Sequence, residues 1–359
     1  MTKKYVHKYA LFPRISHFHQ IVRSISGGSS IGYSMIIMTN NFENRGLGVK
    51  RHLFRRSIFL IVLGILHGIY IWEGDILLSY GVLMLLLIPF ARRSAKAIFI
   101  WAIVLWTIFV VLIGIGGSLE ENITEFEDSE SLYAYVEKTK IIYGTGTYQE
   151  IMDFRNNEEV DILNGVEILI AMLFLPFMML PMFLMGMYAG KKKWFMNIDG
   201  CSQRLGLLAG TLIFIGIAGK SLHILAQTLW LSDLVFFIGT YSLSFGYICL
   251  IAYIYHQVAL RKNMKYFEAV GKMSLTNYIL QSVICTIIFY GYGFGWFGKL
   301  GVTTAFLIGI GIFIGQMILS YLYFKVFNTG PLEHLARMWT YFSFRGKNKR
   351  DKNCQASKA

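Results

Sequence analysis

The segment Arg55–Phe90, RRSIFLIVLGILHGIYIWEGDILLSYGVLMLLLIPF, decides how the rest of the chain is to be interpreted. Two strongly apolar runs flank a short polar turn, and His67, Glu73 and Asp75 fall within nine positions of one another. Apolar runs that approach about 20 residues are typical of helices that cross a bilayer. The segment therefore predicts a membrane helical hairpin that carries three ionisable groups close to its turn.

The whole chain has the composition of a membrane protein. Its 359 residues are 55% hydrophobic and only 15% charged, whereas a soluble domain carries about 25% charged residues. Backbone groups in lipid must be hydrogen-bonded within the segment, which favours helices. We expect an all-α, polytopic transmembrane bundle of eight or nine helices, with Ile21–Met38 as the ninth candidate. The eight clear apolar runs are 57–72, 76–91, 97–117, 166–189, 205–220, 234–255, 275–291 and 303–325.

The charges predict the orientation of these helices. The net charge is +13, but the basic residues lie in alternate connections, which indicates membrane topology and not nucleic-acid binding. Residues 118–164 contain 12 of the 21 acidic residues and three basic ones. We expect the basic loops and the C-terminus in the cytoplasm and the acidic loop outside. The basic connections are 45–56, 92–96, 191–193 and 261–272.

Several classes of site have no support in the sequence. The four cysteines form no CxxC pair, so neither a disulfide framework nor a metal site is indicated. Walker and H-E-x-x-H motifs are absent, and no G-x-S-x-G elbow follows a predicted strand, which argues against soluble nucleotide or hydrolase chemistry.

Three segments resemble the YeiB-like family of bacterial membrane proteins. They are Arg55–Phe90, quoted above, VGKMSLTNYILQSVICTIIFYGYGFGWFG at Val270–Gly298, and GPLEHLARMWTY at Gly330–Tyr341. The resemblance extends from Phe42 to Phe344. It implies a membrane domain at 42–345, which includes the outer loop at 118–164. The tail at 346–359 is basic and lacks apolar content, so we expect it to be disordered in the cytoplasm. The family's opening helix has a D-x-x-R-G signature that this sequence lacks, so residues 1–41 are expected to be a shortened or degenerate segment with one helix.

The resemblance also implies a function. The family is grouped by remote similarity with transmembrane acyltransferases, and it has also been described as transporter-like. The expected activity is transfer of an acyl group to an envelope or exported acceptor at the bacterial cell membrane. An acyl-CoA is the expected donor, and no permanently bound cofactor is implied. A small-solute transporter and an inactive membrane scaffold are the alternatives.

His67 and Asp75 are the candidate catalytic residues. A histidine one to two turns inside a membrane should turn toward protein, because an ionisable group that faces lipid is costly. Histidine transfers protons near neutral pH, and a carboxylate would orient it. In acyl transfer, His67 would act as the base toward the acceptor and Asp75 would hold its imidazole. Alternatively, Asp75 caps the second helix and His67 is a structural hydrogen-bonding partner; Glu73 is expected to be solvated.

Lys272, Asn277 and Gln281 are the candidate substrate-binding residues. Asn277 and Gln281 are four positions apart and share a helix face, where they could line a donor pocket with Lys272 at its mouth. Amides in membrane helices also bond to neighbouring helices, which is the structural alternative. Glu333 and Arg337 are expected to pair on a short interfacial helix, and Ser129–Gly144 is expected to form an amphipathic helix in the outer loop.

Overall fold

The computed structural model describes residues 32–116, 130–157, 165–194, 202–225, 232–256 and 264–344. Within these ranges the regular structure is helical and no strand occurs, so the predicted all-α class is confirmed. The helices are α1 (32–44), α2 (Val49–Tyr70), α3 (Leu77–Leu87), α4 (Ala95–Gly116), α5 (Glu130–Thr145), α6 (Tyr148–Asn157), α7 (Gly165–Lys192), α8 (Ser202–Leu225), α9 (Ser232–His256), α10 (Met264–Lys272), α11 (Ser274–Phe289), α12 (Val302–Tyr323) and α13 (Pro331–Tyr341).

Each of the eight apolar runs coincides with a helix. In the described part of the chain, four helices, α2, α8, α9 and α12, are long and apolar enough to cross a membrane on their own. A fifth span is possible if α10 and α11 count as one, although they meet at a bend of 84°. Two shorter apolar stretches, Leu77–Phe90 and Ala95–Val111, accompany them. The chain is thus a multi-pass membrane protein, and the total of eight or nine spans stays a prediction.

The ends of the short helices follow from local chemistry. Helix α1 ends before Gly46, whose φ of 62° reverses the chain, and the amide of Leu47 then bonds to the carbonyl of Phe42. Helix α6 begins with a capping box: the amide of Thr147 donates to Glu150, and the amide of Glu150 donates to the Thr147 hydroxyl. Of the ninth span candidate, Ile21–Met38, the structure describes only residues from 32 onward, which lie in α1. The tail at 346–359 falls outside the described residues.

The described helices fall into two compact units. One unit contains α1, α4, the C-terminal part of α7, α8 and α9. Within it, glycines allow α8 and α9 to pack closely: a side-chain carbon added at Gly216 would lie 2.7 Å from Leu243, and one at Gly246 would lie 2.7 Å from Ile213. Small residues at helix contacts are the usual means of close packing in membranes.

The second unit contains most of α2, the first part of α3, α5, α6 and α10 to α13. All of the candidate site residues predicted above belong to it. The predicted helix in the acidic loop is present as α5, followed at once by α6. In this unit the amide of Gly291, just after α11, donates to the carbonyl of Tyr143 in α5.

Candidate functional site

The hairpin of α2 and α3 is held together at Gly64. A side-chain carbon added there would lie 2.6 Å from Oδ2 of Asp75 and 2.8 Å from the Cα of Leu78. Gly81 provides a second close approach, because an added carbon would lie 2.9 Å from the amide of Ile61. The absence of a side chain at Gly64 therefore allows the start of α3, with Asp75, to lie directly against α2.

His67 and Asp75 form a buried pair at this contact. Nδ1 of His67 lies 2.9 Å from Oδ1 of Asp75, and the two side chains are only 1% and 4% exposed. The orientation of the imidazole does not meet hydrogen-bond geometry, so Nδ1 has no hydrogen-bond partner among the described residues. The contact with Asp75 is therefore a close ion-pair distance and not a directed hydrogen bond. A carboxylate and an imidazole this close in an apolar span stabilise each other because few other polar groups are available.

Tyr278 of α11 is the third member of the group. Its hydroxyl donates to Oδ1 of Asp75 at 3.2 Å and accepts from the amide of Ile76, also at 3.2 Å. Its ring lies 5.1 Å from the His67 ring, centroid to centroid. Tyr278 thereby joins α11 to the α2–α3 turn and covers one side of the imidazole.

The two oxygens of Asp75 have different roles. Oδ2 accepts a hydrogen bond of 2.8 Å from the amide of Leu78 in the first turn of α3. Oδ1 faces His67 and Tyr278. The structural and functional interpretations of Asp75 are therefore compatible, since one oxygen caps the helix while the other lies next to the histidine.

Nε2 of His67 faces away from the contact with Asp75. It is buried and has no hydrogen-bond partner among the described residues. If Nδ1 carries its proton toward Asp75, Nε2 keeps a lone pair and can accept a proton from another molecule. In the described ranges, no group of three or more His, Cys, Asp or Glu side chains could hold a metal ion.

The helical hairpin of α5 and α6 is anchored next to this site. Arg155, whose side chain is 8% exposed, donates to the carbonyl of Gly68 and lies 3.3 Å from Glu73 through Nε. The Tyr143 hydroxyl donates to the other oxygen of Glu73 at 3.3 Å. Glu73 is exposed, as predicted, but it also ties the α2–α3 turn to the acidic loop.

A further bond at the same place fixes α6. The Tyr148 hydroxyl donates to the carbonyl of Tyr70, the last residue of α2, at 2.8 Å. Burial raises the pKa of Tyr143, and the neighbouring carboxylate of Glu73 raises it further. The phenol therefore stays protonated as a hydrogen-bond donor over the whole neutral range.

The three predicted substrate-binding residues are placed differently. The Asn277 side-chain amide donates to Ser320 of α12 at 2.9 Å, and its backbone carbonyl accepts from Gln316 at 2.8 Å. These bonds join α11 to α12, as expected for an amide with a structural role in a membrane helix. Gln281 is partly buried on the same helix. A substrate role for both residues stays a prediction.

Lys272 lies at the end of α10, just before the bend into α11. Its side chain is 65% exposed, and Nζ lies 3.8 Å from Glu268 one turn earlier. Such an exposed pair contributes little to stability, so the ammonium group is available to a soluble ligand. Its role at the mouth of a donor pocket stays a prediction.

The prediction for Glu333 was wrong. Its carboxylate is directed at α11 and not at Arg337: it accepts from the amides of Leu275 and Thr276 at 2.8 and 3.1 Å, and from the Thr276 hydroxyl at 2.6 Å. The first amides of a helix lack partners within the helix and attract negative charge. The bend between α10 and α11 exposes those amides, and Glu333 satisfies them.

Helix α13 also packs on α2. The ring of Tyr341 lies 5.7 Å from His52, and that of Trp339 lies 6.4 Å from Phe59. The short helix predicted to lie at the interface thus contacts protein as well. Tyr278, Arg155 and Tyr143 were not found by sequence reasoning, although Tyr278 stands next to Asn277 in the Val270–Gly298 segment.

Comparison with known proteins agrees with the three-segment resemblance. The family described as "Protein of unknown function (DUF418)" matches residues 189–343. "Uncharacterized protein YxaH" of Bacillus subtilis (strain 168) is 30% identical over 331 residues, which cover 89% of this chain and 79% of that protein.

Two further relatives follow the same pattern. "Uncharacterized protein YeiB" of Escherichia coli (strain K12) is 26% identical over 309 residues, covering 81% of this chain and 76% of YeiB. A 39.9 kDa protein of Bacillus acidopullulyticus, named for the amylase 3′ region, is 23% identical over 214 residues, covering 52% of this chain and 60% of that protein. No solved structure matches the chain.

Proposed function

We propose that this protein is a membrane acyltransferase whose base is His67. The chain belongs to the YeiB-like DUF418 family. The acceptor is an envelope or exported molecule, and the donor is an acyl-CoA at the cytoplasmic side of the bacterial cell membrane. The orientation rests on the alternation of basic and acidic connections, with the C-terminus in the cytoplasm.

The observation that carries the proposal is the His67–Asp75 pair. The two side chains are almost fully buried and 2.9 Å apart, and Nε2 of His67 has no partner in the described part of the chain. A structural histidine in an apolar span would be expected to use both ring nitrogens, because an unsatisfied buried polar atom is costly. A base needs one nitrogen held and the other free; the approach of Nδ1 to Asp75 within 2.9 Å and the unpartnered Nε2 support that role for His67.

The proposed step is acyl transfer with His67 as the proton carrier. Nε2 takes the proton of an acceptor hydroxyl while the hydroxyl oxygen attacks the carbonyl carbon of the acyl thioester. A carbon–oxygen bond forms, the carbon–sulfur bond breaks, and the sulfur leaves as a thiolate that receives the proton from the imidazolium. Asp75 holds Nδ1–H throughout and stabilises the imidazolium. Lys272, Asn277 and Gln281 are the proposed donor-side contacts.

Mass spectrometry of the cell envelope tests this function. Envelope glycans and lipids from cells with the gene, without it, and with His67→Gln are compared for a mass difference equal to one acyl group. We expect the modified species only with the wild-type gene, and partial loss with Asp75→Asn. His52→Gln serves as the matched control, because His52 is a second buried histidine on α2, packed against Tyr341; it should retain the modification.

Two outcomes would contradict the proposal. An unchanged acyl species with folded His67→Gln protein would remove His67 as the base. No acyl difference between cells with and without the gene, together with altered uptake or efflux of a solute, would support the transporter. The same buried pair favours that second candidate, because ionisable groups inside membrane spans also act as proton relays.

A further inference from the structure

The first half of α2 carries another ionisable group, Arg56, whose side chain is half-buried. Its Nε atom is sealed from solvent and has no hydrogen-bond partner among the described residues. The residue lies seven positions after the start of α2, at the end that the charge pattern predicts to be cytoplasmic. Arginine in a membrane span normally pairs with a carboxylate, a carbonyl or a ligand, so an unpaired guanidinium nitrogen needs a cause.

The charges around Arg56 do not balance. Arg337 and Glu333, both on α13, are close enough to act electrostatically on its guanidinium. The Glu333 carboxylate is already engaged by two amides and a hydroxyl at the start of α11. Two guanidinium groups therefore share one carboxylate that is committed elsewhere, and the cluster keeps a net positive charge.

The neighbouring arginine differs in this respect. Arg55 places its guanidinium over the ring of Phe342, 4.0 Å from the centroid, which is a favourable cation–π contact. Arg337 is exposed, so the Arg56 cluster has an open side. The half-buried Arg56 and the exposed Arg337 thus belong to one cationic cluster within one unit of the structure.

We propose that Arg56 and Arg337 form a binding site for a phosphate group. Guanidinium presents a planar fork of donors that matches phosphate oxygens two at a time, and a phosphate would supply the missing negative charge. A soluble phosphate ester and the phosphate of an anionic lipid share this chemistry. The site is separate from His67: the two residues are 11 positions apart on α2, which corresponds to about 16 Å along the helix.

Binding measurements on the full chain test the proposal without any assay of turnover, so they succeed or fail independently of the acyltransferase function. The purified protein is placed in phosphatidylcholine nanodiscs, and its thermal unfolding midpoint is followed as coenzyme A is added. A parallel series replaces part of the phosphatidylcholine by phosphatidic acid. We expect a saturable rise of the midpoint with at least one probe, weakened about tenfold or more in Arg56→Gln, as for loss of a charged hydrogen bond.

Arg55→Gln is the matched control, since it removes the same charge from the next position and should change the apparent affinity by about twofold or less. If Arg56→Gln does not fold, binding is measured with Arg337→Gln and Arg56→Lys instead. Arg337→Gln should weaken binding. Arg56→Lys keeps the charge but lacks the forked geometry. A response to coenzyme A identifies a soluble ligand, and a response to phosphatidic acid alone identifies a lipid. No saturable response in the wild type, or equal losses in Arg55→Gln and Arg56→Gln, would overturn the site.

Discussion

Both ends of α2 place ionisable groups in apolar surroundings. They differ in whether the chain supplies a counter-charge that is free to pair with those groups. Near the end of the helix, His67 has its own carboxylate at 2.9 Å, and Asp75 is further satisfied by Tyr278 and Leu78. Near the start, Glu333 is the carboxylate that acts electrostatically on Arg56, but its hydrogen bonds are made to α11. Three helical turns separate a complete pair from an incomplete cluster.

This difference indicates which end of α2 needs a counter-charge from an external molecule. A buried group that is paired within the chain can exchange a proton but needs no counter-charge. A half-buried cation with a sealed, unpartnered nitrogen needs one, because the desolvation of that nitrogen is not offset by the protein. We therefore expect chemistry at the His67 end and recognition of a phosphate at the Arg56 end.

Gly64→Ala should have the largest effect on stability, because the added carbon disturbs the helix contact that brings Asp75 to His67. The added carbon would collide with Oδ2 of Asp75 and with the backbone of Leu78, neither of which can move without separating α3 from α2. Overpacking of this kind costs about 1–3 kcal/mol or more. The yield of folded protein, and its unfolding midpoint measured by fluorescence during heating in detergent, report the loss.

Gly68→Ala is the matched control for that variant. It lies one turn later on the same helix, and an added carbon there would make an ordinary 3.8 Å contact with Cβ of Asp75. We expect little change in stability. Equal behaviour of the two alanine variants would show that the α2–α3 hairpin is not held by close approach at Gly64.

Glu333→Gln should have an intermediate effect on stability, and it tests the role of Glu333 in the cluster around Arg56. The glutamine keeps one acceptor oxygen but loses the charge that faces Arg56, Arg337 and the start of α11. Hydrogen bonds to charged groups contribute about 1.5–3 kcal/mol, so the unfolding midpoint should fall clearly. Glu268→Gln, which removes an exposed carboxylate 3.8 Å from Lys272, should cost at most about 0.5 kcal/mol. A loss in Glu333→Gln no larger than in Glu268→Gln would contradict the capping role.

The smallest effect concerns the pH dependence of the α5–α6 hairpin. Because burial and Glu73 raise the pKa of Tyr143 above its unfolded value, its contribution to stability is full below about pH 10 and is lost as the pH rises beyond that. Hydrogen exchange of α5 should therefore be unchanged by ionisation of this group from neutral pH to pH 9 and should become faster above pH 10. Tyr143→Phe, which cannot ionise, should lose that step and about 0.5–1 kcal/mol of stability. An identical high-pH step in the phenylalanine variant would assign it to another group.

The sequence was a good guide where the interaction is local. Long apolar runs predicted the helices because backbone groups in lipid leave few other structures. His67 and Asp75 are eight positions apart across a tight turn, so their proximity follows once the hairpin is recognised. The catalytic role given to them was not tested by the fold.

Long-range partners were not predictable in the same way. Tyr278 reaches Asp75 across 203 positions, and Arg155 reaches Gly68 across 87. Helices that are apolar on all sides provide no strong signal of which face will meet which neighbour. Glu333 was paired with Arg337 because spacing along one helix is visible in a sequence, whereas the exposed amides created by the 84° bend before α11 are not.

We expect Asp75 to hold Nδ1–H of His67 and to leave Nε2 as the base. Nitrogen NMR of the protein with ¹⁵N-labelled histidine, in nanodiscs at neutral pH, tests it directly, with His67→Gln identifying the His67 signals. We expect Nδ1 to be protonated and Nε2 unprotonated in the wild type. Asp75→Asn, which presents a donor to the ring, should shift the proton to Nε2. A wild-type His67 protonated at Nε2 alone, or a tautomer unchanged by Asp75→Asn, would contradict it.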